Sequence, residues 1–169
     1  MLQGEQRNAA VEKIDKLLEK HPGRPALLTL KARVHLDQKQ PAEAREAVDA
    51  LLEAEPDNSS GLALNAILLV TEYKVSESLE SLHRALRVSQ GTVSQTVYRA
   101  YLAICYNLIQ VNEHIAAYAH LLTLVAMTKG QDRTALQMLV QITSSEQLPA
   151  IFQGLVITTK APDLSLIHI

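Results

Sequence analysis

The feature that most constrains this chain is a phrase that occurs twice, 34 residues apart. Residues 17–22 read Leu-Leu-Glu-Lys-His-Pro, and residues 51–56 read Leu-Leu-Glu-Ala-Glu-Pro. The likeness extends backward from each proline, since Ala10 matches Ala44 and Ile14 matches Val48. Self-similarity at a fixed period of this size is typical of helical repeat arrays, in which each unit buries its apolar face only against its neighbours.

The composition of the 169 residues argues against several classes of protein. Hydrophobic residues make up 47% of the chain and charged residues 20%, which predicts a sizeable core rather than a disordered chain. The net charge of −2 argues against a dedicated nucleic-acid surface. A single cysteine, Cys105, excludes an internal disulfide framework and fits a reducing compartment such as the cytoplasm. We expect neither a signal peptide nor a membrane span, because no apolar run approaches the roughly 18 residues that a span needs.

The charged residues are unevenly distributed, since 25 of the 34 lie in residues 1–85. The second half therefore has few side chains that must stay in water. Two explanations remain open at this stage. Either residues 91–160 bury their surface against a second copy or another segment, or these small-residue-rich helices simply bury more of themselves.

The spacing of apolar residues at three and four predicts nine helices, an unpaired first helix followed by four hairpins. Pro25 and Pro41 suit the first position of a helix, whereas Pro22 ends one. Capping side chains are expected in residues 57–60, from Thr92 with Gln95 in a capping box, and from Asn112. The predicted helices cover residues 5–20, 25–38, 60–73, 76–88, 93–109, 112–127, 132–143 and 145–157, and a further helix begins at Pro41.

Residues 5–90 resemble tetratricopeptide repeats at the positions where two helices approach closely. In that family the eighth and twentieth positions are small, and the leucine pairs of the repeated phrase occupy positions 27 and 28. The chain departs from the family pattern at the fourth position, which is leucine (Leu28, Leu62) instead of tryptophan. The small positions are Ala32 and Ala66 in the first set, and Ala10, Ala44 and Ser78 in the second.

The resemblance implies an all-α, right-handed superhelix of antiparallel helix hairpins. We expect a single domain over residues 1–160, regular over 5–90 and degenerate over 91–160. For the tail at 161–169, a segment that is not native to the protein and a disordered end both remain open. The resemblance also implies a concave, mostly apolar groove suited to an extended peptide or a partner helix. The residues expected to line this groove are Thr29, Arg33, Leu36, Ala63, Ile67, Val70, Arg99 and Tyr106.

No residue pattern in the chain predicts catalysis, a cofactor or a metal. The glycines are scattered, and the six histidines lack zinc-type spacing. Cys105 falls in the middle of a predicted helix, where a free cysteine behaves as a small hydrophobe. The carboxylate clamp of the family members that bind chaperone tails is not matched, because Thr29, Arg33 and Leu64 occupy its positions. For Arg33 and Arg99, contact with an acidic partner and a plain surface role both remain open.

The sequence therefore predicts a non-catalytic scaffold that binds a protein or peptide, with no nucleic-acid or membrane partner. Two alternatives are an RNA-binding helical repeat, which the acidic balance disfavours, and a docking segment of a larger enzyme. The unpaired first helix and the apolar residues 164–169 lead us to expect a fragment of a longer protein.

Overall fold

The computed structural model describes the backbone of residues 2–144 and the side chains of residues 8–143. The described part is entirely α-helical, which confirms the predicted helical-repeat class. The predicted ninth helix, residues 145–157, and the tail at 161–169 lie outside the described residues. The helices are α1 (Leu2–Lys20), α2 (Pro25–Asp37), α3 (Pro41–Ala54), α4 (Ser59–Thr71), α5 (Val75–Val88), α6 (Gln95–Gln110), α7 (His114–Met127) and α8 (Arg133–Ser144).

Local residue chemistry determines where most of these helices begin. α2 and α3 start at Pro25 and Pro41. The fixed φ of proline suits the first turn of a helix, and its missing N–H is tolerated there because the first amides have no carbonyl partner within the helix. Asn58 caps α4, because its Oδ1 accepts a hydrogen bond from the Gly61 amide at 2.9 Å. This confirms the cap predicted within residues 57–60.

Two other predicted caps are wrong. At α6 the capping oxygen belongs to Ser94, whose Oγ accepts from the Val97 amide at 3.3 Å, so Thr92 forms no capping box. At α7 the residue before the helix is Glu113, which makes no side-chain capping bond, and Asn112 lies in the preceding turn at φ 63°. Asparagine tolerates this left-handed conformation, so its short polar side chain serves the turn instead of the cap.

The turns within the hairpins share one backbone conformation and one hydrogen bond. Lys39, Tyr73 and Asn112 each adopt a positive φ, at 58°, 61° and 63°. The amide of the next residue then donates to the carbonyl five residues earlier, at 2.9, 2.9 and 2.8 Å. This bond satisfies a carbonyl that the end of the helix would otherwise leave without a partner. The first two turns are 34 residues apart, so the backbone repeats with the same period as the sequence.

The small positions allow the helices to pack closely. α2 packs with α3 and α4 with α5, while α3 and α2 both contact α4. Ala32, Ala44, Ala66 and Ser78 are fully buried, as predicted. Ser78 is polar, but its hydroxyl donates to the Ala66 carbonyl at 2.8 Å, which removes the penalty of burying it. One apolar cluster of these helices comprises Ala32, Ala44, Ala47, Val48, Leu64 and Leu68.

The chain divides into two compact units, one up to Ile104 and one from Cys105, with the division inside α6. The first unit contains α1 to α5, and the second contains α7 packed on α8. Large apolar side chains are exposed in the second unit, among them Ile115, Leu122 and Leu136. The predicted single domain and the predicted contact of residues 91–160 with another surface stay predictions.

Candidate functional site

The first part of the predicted groove lies on one face of α2. Thr29, Arg33 and Leu36 are spaced by four and three residues, so they share a helix face. Each of the three side chains is partly exposed, and Leu36 also packs against the apolar cluster of the first unit. This face can therefore offer both an apolar and a cationic contact.

Two polar bridges, called here the α2–α6 bridges, join α2 to the first turns of α6. Arg33 Nη2 lies 3.4 Å from Gln95 Oε1, and Arg99 Nη2 lies 2.7 Å from Asp37 Oδ1. All four side chains are at least partly exposed, and the Arg99–Asp37 ion pair leaves 42% of each side chain accessible. Exposed pairs of this kind contribute only about 0–1 kcal/mol, so they can exchange for other partners at low cost.

The structure corrects the predicted groove at two positions of α4. Ala63 is 0% exposed and Val70 is 7% exposed, so neither offers a surface to a partner, whereas Ile67 is partly exposed. The α2–α6 bridges join the helices that flank α4 in the repeat order. The bridged residues are 62 positions apart, so no local sequence pattern predicts these contacts.

Tyr106 belongs to the second unit, whereas Arg99 belongs to the first. The Tyr106 side chain is 61% exposed. It is therefore available to a partner, and its role in binding stays a prediction.

Sequence reasoning missed a pocket that is lined by residues of α3, α4 and α5. This α3–α5 pocket has a volume of about 750 Å³. Leu52, Leu62 and Leu69 supply apolar surface, and charged residues of α5 such as Glu80 and Arg87 line it as well. The spacing of the charged residues of α5 was the one sequence signal for this pocket, but the same spacing occurs on any helix face that is exposed to solvent.

A small apolar cleft opens between α1 and α2, with a volume of about 280 Å³. Leu17, one of the two leucines that open the repeated phrase, lies in its lining and is 45% exposed. Leu30, across the cleft on α2, is 46% exposed. The residues that line this α1–α2 cleft are Ala10, Lys13, Ile14, Leu17, Leu27, Leu30 and Val34.

The described side chains form no group of three or more histidines, cysteines or acids that could hold a metal ion. His35 is buried, and its Nδ1 lies 2.8 Å from Gln40 Oε1, which ties the end of α2 to the residue before α3. Hydrogen bonds from Lys74 and Arg45 lower the pKa of the exposed Glu72 carboxyl, and the same pairing raises the pKa of Lys74. These groups support the hairpins and suggest no catalytic arrangement.

Burial raises the pKa of the Cys105 thiol to about 12. With that pKa, about one thiol in ten thousand is ionised at pH 8, against about one in ten at a pKa near 9. We therefore expect iodoacetamide to alkylate the folded chain at least 100-fold more slowly at pH 8 than the chain unfolded in guanidinium. Mass spectrometry of timed samples measures both rates, and equal rates would contradict the buried, unreactive thiol.

The comparisons with known proteins agree with this architecture. A tetratricopeptide repeat family model matches residues 1–68. Among solved structures, PilW, a widely conserved type IV pilus biogenesis factor, superposes with a TM-score of 0.70 at 19% identity, over 85% of this chain and 64% of PilW. A tetratricopeptide repeat protein from Parabacteroides merdae gives a TM-score of 0.66 at 14% identity, over 83% of this chain and 52% of that one.

MamA gives a TM-score of 0.65 at 14% identity, over 85% of this chain and 81% of MamA. At these identities the likeness concerns the fold alone, and this chain spans less than two thirds of the first two proteins. No curated protein sequence matches this chain. None of the helices described here is both long and apolar enough to cross a membrane.

Proposed function

Because this chain is a divergent tetratricopeptide repeat protein, we propose that it is a non-catalytic scaffold that binds a peptide or partner helix on the concave face. Repeats of this family generally mediate protein–protein interaction. The proposed contacts are Thr29, Arg33, Leu36, Ile67 and Arg99, all in the first unit.

The observation that carries this proposal is the nature of the α2–α6 bridges. They connect side chains that are at least partly exposed, so a ligand can displace them without unpacking a helix. A carboxylate of the ligand would take the place of Asp37 at Arg99, and apolar ligand side chains would cover Leu36 and Ile67. Charge-assisted bonds to arginine would then orient a ligand whose affinity comes from apolar contact.

The test is selection of peptides from a random 12-residue display library on the purified chain, followed by fluorescence polarisation with the selected peptides. We expect the double variant Arg33→Glu with Arg99→Glu to weaken binding at least 10-fold, because a ligand carboxylate would meet two like charges. Arg87→Glu on α5 is the matched control, since it reverses an exposed arginine that lines the α3–α5 pocket.

Weaker binding with the control variant and unchanged binding with the double variant would refute the concave site. It would also move the proposal to the α3–α5 pocket. No specific observation favours the RNA-binding alternative or the docking segment of a larger enzyme.

A further inference from the structure

The α3–α5 pocket has the size and chemistry of a site for a small molecule. Its volume of about 750 Å³ falls within the range of roughly 300–1,000 Å³ that is common for such sites. Leu52 of α3 and Leu62 and Leu69 of α4 give it an apolar surface, and charged side chains of α5 line it as well. A lining that combines apolar and charged groups can hold a ligand and also fix its orientation.

The charged residues of α5 follow a fixed order along the pocket. Glu77 and Glu80 come first, and Arg84 and Arg87 follow them. Spacings of three and four residues place all four on one face of the helix. The α5 side of the pocket is therefore acidic in its first half and cationic in its second half.

Glu80 and Arg87 are the two opposite charges that a ligand can use most readily. Neither makes an ion pair within the part of the chain that the structure describes. Arg84 is already bound, because its Nε and Nη2 both donate to Asp57 Oδ1, at 3.0 and 2.7 Å. A ligand that carries both an ammonium and a carboxylate can thus pair with Glu80 and Arg87 at the same time.

The polar groups that lie between these two charges already have partners. Asn65 Nδ2 donates to Ser81 Oγ at 3.1 Å, and Ser81 Oγ donates to the Leu62 carbonyl at 2.9 Å. Arg45 Nη1 donates to Asn65 Oδ1 at 2.5 Å. Because these bonds lie within the protein, an apolar ligand body can cover the groups without taking away their partners.

The distance between the two charges determines the length of the ligand. Glu80 and Arg87 are seven residues apart, which is about 10 Å along the helix axis at 1.5 Å per residue. The ends of an extended tripeptide are also about 10 Å apart, at 3.3–3.6 Å per residue. Side chains on one side of a longer extended segment recur at about 7 and 13 Å, so they match less well. Two turns of helix match the length but occupy about 800–1,200 Å³, which exceeds the volume of the pocket.

We propose that the α3–α5 pocket binds a free, apolar tripeptide. The ligand ammonium pairs with Glu80, its carboxylate pairs with Arg87, and its side chains cover the leucines of the pocket. A segment inside a protein chain lacks both terminal charges, so the ligand is a small molecule and not part of a partner protein or of this chain. The proposal does not rest on the concave site, because no residue of the α2–α6 bridges lines this pocket.

The experiment is a titration of the isotope-labelled full chain with trileucine, followed by methyl NMR. At about pH 6.5 both ends of a free peptide are charged. We expect saturable shifts of the methyl signals of Leu52, Leu62 and Leu69, while Leu36 and Ile67 of the concave face stay in place. Trileucine that is acetylated and amidated has the same side chains without the charges, and should bind at least 10-fold more weakly.

Charge variants test the direction of binding. Glu80→Lys and Arg87→Glu should each weaken trileucine binding at least 10-fold, because one end of the ligand then meets a like charge. The double variant Glu80→Lys with Arg87→Glu should restore the affinity to near the wild-type value, since the ligand can bind in the reverse direction. If the two charges acted only on the dipole of α5, the double variant would bind no better than the single variants.

Two further sets of variants serve as controls. Glu19→Lys reverses an exposed acid of α1 and should leave the affinity for trileucine unchanged. Circular dichroism checks that each variant remains helical. Where a reversal of charge unfolds the chain, Glu80→Gln and Arg87→Gln preserve the size of the side chain and should each still weaken binding at least 3-fold.

Three results would overturn the proposal. The first is the absence of saturable shifts at Leu52, Leu62 and Leu69. The second is equal affinity for free and capped trileucine. The third is binding of a capped peptide with the sequence Lys-Leu-Leu-Glu but not of trileucine, which would assign the pocket to a segment of a protein chain.

Discussion

Replacing Leu51 with aspartate will destroy the cooperative fold of the first unit, whereas the same change at Leu17 will leave it folded. The two leucines are equivalent in the repeated phrase, but Leu51 is 0% exposed and Leu17 is 45% exposed. The buried aspartate would have no partner and would cost about 4 kcal/mol or more, a large part of the 5–15 kcal/mol that stabilises a typical domain. At Leu17 the carboxylate reaches water, so we expect the free energy of unfolding to fall by about 1 kcal/mol or less.

Circular dichroism during urea titration measures both variants against wild type. The Leu17 variant serves as the control, because it introduces the same charge into a helix at the equivalent repeat position. Equal loss of stability in the two variants would mean that the cleft beside Leu17 is closed in solution.

Replacing Leu64 with alanine will lower the free energy of unfolding by about 2–5 kcal/mol, because it leaves a cavity in the apolar cluster of α2, α3 and α4. The same replacement at Leu30, 34 residues earlier and 46% exposed, will cost about 1 kcal/mol or less. The shift of the urea midpoint at constant slope measures both changes. A loss at Leu30 as large as that at Leu64 would contradict the different burial of these equivalent positions.

The sequence predicted the elements of the fold well, because they depend on local chemistry. Proline at the start of α2 and α3, Asn58 before α4 and the small residues Ala32 and Ala44 act over a few residues or at a fixed period. The two incorrect caps arose where several polar residues compete for one helix end. Thr92 and Ser94 both precede α6 and have comparable capping propensities, whereas Asn112 lies in the turn before α7 at a positive φ.

The candidate site was harder to predict, because it depends on contacts between distant residues. The family pattern placed Ala63 and Val70 in an open groove, whereas both are buried. The contacts of Arg33 and Arg99 join residues 62 positions apart, which no local pattern predicts. The exposure of Leu17 has a similar cause. A repeat pattern predicts which face of α1 is apolar, but not whether a neighbouring helix covers it.

These findings divide the first unit into three surfaces that experiments can separate. The proposed concave face contains the α2–α6 bridges, the α3–α5 pocket combines leucines with the charges of α5, and the α1–α2 cleft is mostly apolar with Lys13 in its lining. Because each surface has its own leucine or isoleucine residues, methyl groups can report on each one separately.

The most direct test of the central claim is methyl NMR of the isotope-labelled chain, titrated with a peptide selected for binding. A scaffold that binds through its concave face predicts shifts of the methyl signals of Leu36 and Ile67 that saturate with the peptide. Signals of Leu52 and Leu62, which line the α3–α5 pocket, should then stay in place. Shifts confined to Leu52 and Leu62, with Leu36 and Ile67 unchanged, would contradict the concave site.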